Sequence, residues 1–148
     1  AALEAKKLAC YVCDFPSPHV NGHPHVVALP HLGASTREAE DNCAAMVADQ
    51  VRDYLEDGNV QNAVNFPSIT MPRESNFRIA IANANVPNMV GQISTAMAKA
   101  NLNIHNMMNK SRGDMAYTLV DVDSAVPPAA IDSIAGIEGV LTVRYLPA

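Results

Sequence analysis

Between Phe77 and Leu146 the spacing of apolar residues changes period from one segment to the next, and the succession leaves few folds open. Phe77-Arg78-Ile79-Ala80-Ile81-Ala82 reads as a strand. Asn83 to Asn88, with Pro87, is a polar turn. Met89, Val90, Ile93, Met97 and Ala100 then fall on one face of a helix. Leu102 to Asn109 is strand-like, Ser111-Arg112-Gly113-Asp114 is a hairpin turn, and Met115 to Asp123 is the return strand. Pro127 and Pro128 open a short helix through Ile131 and Ile134, ended by Gly136. Val140 to Leu146 closes as a strand. The order β-α-β-β-α-β predicts an α+β, ferredoxin-like unit: a four-stranded antiparallel sheet with both helices on one face. Its other face has to be covered or polar.

The first half follows a different pattern. Leu3 to Lys7 reads as a helix end. Leu8 to Cys13 and Val26 to Leu29 are short apolar runs, expected to be buried strands, with a Pro-rich loop from Pro16 to Pro24 between them. From Ser35 the spacing predicts the strongest helix of the chain. Ser35 and Glu38 fit a capping box. Ala39, Cys43, Met46, Val47, Gln50, Val51, Tyr54 and Leu55 share a face, and Gly58 supplies a left-handed end. The helix runs for about 22 residues, ~33 Å at 1.5 Å per residue. Residues 59–75, with Pro67 and Pro72, read as an extended linker. The expected domains are therefore residues 1–58, a linker 59–75, and residues 76–148.

The 148 residues carry a formal charge of −5 and no long basic run. That argues against nucleic acid, which needs a concentrated basic face. No stretch reaches the roughly 20 apolar residues that span a bilayer, and no basic-then-apolar signal opens the chain. The expectation is a cytoplasmic protein with no membrane partner. Cys10, Cys13 and Cys43 are an odd set, expected as reduced thiols. Cys10 and Cys13 lie inside an apparent strand and read as buried small hydrophobes. His19, His23 and His25 crowd one loop without a fourth ligand, so no metal site is assigned.

His31 follows a buried strand and precedes a helix start, the place where α/β sheets carry ligands. A histidine there can give and take a proton near neutral pH. The run Pro30-His31-Leu32-Gly33-Ala34-Ser35-Thr36, with Glu38-Ala39-Glu40 after it, resembles the signature of the D-2-hydroxyacid dehydrogenases that act on 3-phosphoglycerate. Gly58-Asn59 and Val64-Asn65-Phe66-Pro67 resemble the run leading from the catalytic to the regulatory part of that family. The resemblance implies that residues 1–58 are the last strands and cross-over helix of a Rossmann-type dehydrogenase using NAD. It implies that His31 exchanges the substrate hydroxyl proton and that Asp14 lies near the nicotinamide. The family's glutamate partner for the histidine has no counterpart in Asp14-Phe15-Pro16-Ser17-Pro18-His19, and no Gly-x-Gly-x-x-Gly occurs in the chain.

The second half is rich in asparagine: Asn83, Asn85, Asn88, Asn101, Asn103, Asn106 and Asn109. Asparagine offers both a donor and an acceptor, as a zwitterionic ligand requires. Turn chemistry alone accounts for Asn88 and Asn101. Asn85-Val86-Pro87-Asn88 resembles the ligand loop of ACT domains, usually Asn-x-Pro-Gly, with Asn in the glycine's place. Asn tolerates the positive φ the loop needs. The resemblance implies that Asn83, Asn85 and Asn103 contact an amino acid, serine in this family, and that the unit pairs with a second copy. The alternative is a free-standing ACT-type ligand-sensing and dimerisation module without catalytic activity. An upstream Gly-x-Gly-x-x-Gly would separate the two.

Overall fold

The computed structural model describes residues 1–147, which divide into two compact units after Val47. The second is the better built. Strands β3 (Phe77–Ala84), β4 (Ile104–Arg112), β5 (Met115–Val122) and β6 (Val140–Pro147) form one antiparallel sheet in the order β4-β5-β3-β6. Helices α2 (Met89–Lys99) and α3 (Pro128–Ala135) complete the β-α-β-β-α-β order. This is the ferredoxin-like arrangement predicted from period alone.

Side chains alternate across the pleat and fill two cores. Ile79, Ile81, Val120 and Val122 point to the helical face and pack with Met89, Ile93, Met97 and Ile134. Ala80, Ala82, Tyr117, Leu119 and Leu146 point the other way, against Ile69 and Met71. The cover on that second face comes from residues 59–75. They are no free linker: Pro67, Ile69 and Met71 are buried while Ser68, Thr70 and Pro72 are exposed. That is a strand's alternation, interrupted by prolines and therefore missed. Val60 and Ile69 form an antiparallel bridge at one end of this strap. Asn59 Oδ1 accepts from Met71 N at 3.0 Å.

Between the sheet and the strap lies a fully buried ion pair. Arg78 Nε and Nη2 donate to the two carboxylate oxygens of Asp121 at 2.6 and 2.9 Å. Arg78 also donates to the carbonyls of Met71, Pro72 and Asp57, so its donors are saturated. Such a pair is stable only because every donor finds an acceptor.

The long helix α1 is Arg37–Asp57, and Gly58 ends it at φ +72°. Its start differs from the expected capping box. Thr36 Oγ1, not Ser35, accepts from the N–H of Ala39, so the residue three on is alanine and no side chain bonds back. A helix leaves its last four carbonyls without intrahelical partners. Here arginines distant in sequence satisfy them: Arg144 bonds the carbonyls of Tyr54 and Leu55, Arg73 that of Glu56 and Arg78 that of Asp57. The last turn of α1 holds no basic residue of its own.

Residues 1–47 contrast with this. Strands β1 (Tyr11–Cys13) and β2 (Val26–Ala28) pair in parallel, Val12 opposite Val27. Both are shorter than predicted, and no residue of the unit is buried. Cys10 is exposed and Cys13 half-buried, not core as expected. Residues Leu3–Lys7 form turns rather than a helix end. The cause is common to all: parallel strands are stable when layers cover both faces, and these 47 residues hold no such layers.

Candidate functional site

Two sets of residues merit a chemical reading, one in each unit. In the second, β3 ends at Ala84, and Asn85, Val86 and Pro87 lead into Asn88, whose φ of 64° lets the chain turn into α2. This is the left-handed position expected of the glycine-replacing asparagine. A Cβ on Gly91 would meet Asn88 Oδ1, so any larger residue there would displace that side chain from its place beside the helix start. A cleft of about 130 Å³ opens here, lined by Asn83, Asn85, Asn88, Asn109, Met89 and Ala116 among others. A water's share of liquid volume is about 30 Å³, so the cleft holds a ligand of few heavy atoms.

The predicted contacts divide. Asn85 is exposed at the cleft, and its Nδ2 donates to the Gly113 carbonyl at 3.0 Å. Asn83 is 1 % exposed. Its Nδ2 donates to Ala84 O at 2.8 Å and its Oδ1 accepts from Thr118 Oγ1 at 3.5 Å. Asn103 is elsewhere. It precedes β4, whose Ile104 pairs with Val122, whereas Asn83 pairs with Ala116. Six residues of strand, about 20 Å at ~3.3 Å each, separate the two ends of one sheet. At its own end Asn103 donates to Asp123 at 2.5 Å. His105 there lies 3.4 Å from Glu74 and 3.6 Å from Asp123.

Two further residues carried no sign in the sequence, Asn109 in the cleft lining and Thr118 buried behind it. Asn109 was one asparagine among seven, and Thr118 is an unremarked member of β5. Cross-strand register, Asn109 opposite Thr118, brings them together, and Asn109 Nδ2 donates to Thr118 Oγ1 at 2.7 Å.

In the first unit His31 and Asp14 meet, Nδ1 lying 3.1 Å from Oδ2. The Phe15 ring and the imidazole meet nearly perpendicular, with centroids 5.8 Å apart. The two polar side chains are 66 % and 54 % exposed, so solvent screens the pair. Asp14 is thus the carboxylate that lies beside His31.

No protein-family model matches the chain. The D-3-phosphoglycerate dehydrogenase of Escherichia coli K12 is 29 % identical to it over 158 aligned positions, covering 98 % of this chain and 38 % of that protein. The chain resembles the D-3-phosphoglycerate dehydrogenases along nearly its whole length. D-3-phosphoglycerate dehydrogenase 1 of Saccharomyces cerevisiae is 30 % identical over 106 positions, covering 68 % of this chain and 22 % of that protein. The chain therefore spans well under half the length of the dehydrogenases it matches. Among solved structures, the ACT domain from the GTP pyrophosphokinase of Chlorobium tepidum is 20 % identical at a TM-score of 0.41, covering 47 % of this chain and 95 % of that one.

Proposed function

We propose that this chain is the C-terminal part of a cytoplasmic, NAD-dependent D-3-phosphoglycerate dehydrogenase of L-serine biosynthesis. Residues 76–148 are its ACT regulatory domain, which binds serine or a similar small amino acid and pairs with a second copy. The observation that carries the regulatory reading is the cleft between Asn85 and the start of α2. It is small, has four asparagines in its lining, and is bordered by the first N–H groups of a helix, which suit a carboxylate. Asparagine oxygens suit the ammonium group.

β4 is an edge strand of the sheet and offers unpaired backbone groups. A two-fold pairing of β4 edges centred near Asn106 puts Asn103 of the partner subunit opposite Asn109, beside the cleft. The separation of Asn103 from Asn83 and Asn85 within one chain then becomes a requirement for the dimer. Ligand bound across the seam stabilises the pair, because it binds only the assembled form.

In the catalytic role, His31 gives and takes the substrate hydroxyl proton. Asp14 accepts from Nδ1–H and so holds the tautomer with Nε2 available. NAD accepts or supplies the hydride when bound. The residues present do not form its phosphate seat, so the cofactor belongs to the whole enzyme.

Sedimentation and calorimetry with L-serine, on wild type and Asn85→Ala, test the regulatory reading. The expected result is a dimer that binds serine, with affinity lost in the variant. A monomer indifferent to millimolar serine would overturn it.

A further inference from the structure

The hydrogen bonds around Asn83 form a chain whose direction is fixed at one end. The Ala84 carbonyl can only accept, so Asn83 must present Nδ2 to it and turn Oδ1 toward Thr118. An amide oxygen also only accepts, so the Thr118 hydroxyl gives its single proton to Asn83. That hydroxyl must then accept from Asn109, which turns Nδ2 inward at 2.7 Å. The Oδ1 of Asn109 is left facing out. Thr118 is fully buried, so no water competes for the bonds in the middle. At Asn85 the same logic runs in one step: Nδ2 is held by the Gly113 carbonyl, leaving Oδ1 outward. Asn85 and Asn109 both line the cleft, and each keeps its Oδ1 free to accept because its amide nitrogen is already bound.

We propose that Asn109 is a ligand contact, accepting from the ammonium group of the bound amino acid together with Asn85. Asn83 and Thr118 are positioning residues behind it. Asn83 is buried with both ends of its amide engaged, which suits a residue that orders its neighbours rather than one that meets the ligand. The proposal rests on the amino-acid reading above and names which carbonyls would do the recognising. It also favours a ligand group with several donors, such as a primary ammonium, between the two acceptors.

L-Serine titrated by calorimetry against wild type, Asn109→Leu, Asn109→Asp and Thr118→Val tests it, with thermal unfolding of each as the folding control. Asn109 is exposed, so its variants should melt close to wild type. A hydrogen bond to a charged group predicts a loss of about tenfold or more for Asn109→Leu. Asn109→Asp keeps an acceptor and adds charge but can no longer donate to Thr118 Oγ1, so it should lose no more than Thr118→Val does and clearly less than Asn109→Leu. Thr118→Val should weaken binding severalfold, because Asn109 loses the partner that orients it. Serine bound equally well by Asn109→Leu would overturn the assignment while leaving the amino-acid reading standing. Equal losses in the Leu and Asp variants would also overturn it, since an acceptor role would survive the second change. No binding by wild type would remove both.

Discussion

Residues 1–47 and residues 48–147 are similarly rich in apolar side chains, yet only the second set buries any. In the second unit the central strands β3 and β5 are covered twice, by α2 and α3 on one face and by the strap on the other. In the first, Val12 and Val27 sit opposite each other in a parallel pair at 58 % and 46 % exposure. The contrast teaches that an apolar run identifies a surface to be covered and does not identify the cover. A two-stranded sheet has too little of either to be stable alone.

The sharpest way to break the contrast is to damage the buried pair. Arg78→Met leaves the Asp121 carboxylate buried without its partner. It should cost about 3–5 kcal/mol, read as a lower denaturant midpoint of the transition reporting on residues 48–147. Adding Asp121→Leu to it should recover much of that loss. The strap comes next. Ile69→Ala removes a fully buried side chain and should cost about 2–4 kcal/mol. A loss below half a kilocalorie would return residues 59–75 to the status of a linker.

A smaller effect is expected at Tyr117, 4 % exposed with its hydroxyl unpartnered. Burial, and Tyr54 nearby, push its phenol above the ordinary value, partly offset by Arg144. The folded state then holds a proton that the unfolded chain releases above about pH 10. Stability from this source is complete below that pH and falls as pH rises past it. Tyr117→Phe should be neutral or mildly stabilising at pH 7 and should flatten the decline in melting temperature between pH 9 and 11. The smallest effect belongs to the first unit: Val12→Ala should change stability by less than about 0.5 kcal/mol. A loss like that at Ile69 would mean that β1 is buried in the protein as assayed.

Much of the second unit could be read from residue order. Periods of two and near four placed all six of its ferredoxin-like elements. The positive φ at Gly58, Asn88 and Asn101 follows from the few residue types that tolerate it. The strap could not be read so easily. Its alternation at Pro67, Ile69 and Met71 spans only five residues, begins on one proline and is stopped by another, Pro72. The pairing of His31 with Asp14 was equally illegible, since a loop decides how close two residues seventeen apart will come.

By itself the sequence determined what is local in the second unit: where its ferredoxin-like helices and strands lie, where Gly58, Asn88 and Asn101 turn the backbone left-handed, and which motif resembles which family. Those are fixed by neighbours within a few positions along the chain. Tertiary structure decided what depends on partners far apart in sequence. Arg73, Arg78 and Arg144 supply the end of α1 with the donors its own last turn lacks. Asn109 reaches Asn83 through Thr118 only because three strands lie side by side in a particular register. Hydrogen-bond direction passes from one strand to the next across that register, and no spacing along a single strand encodes it.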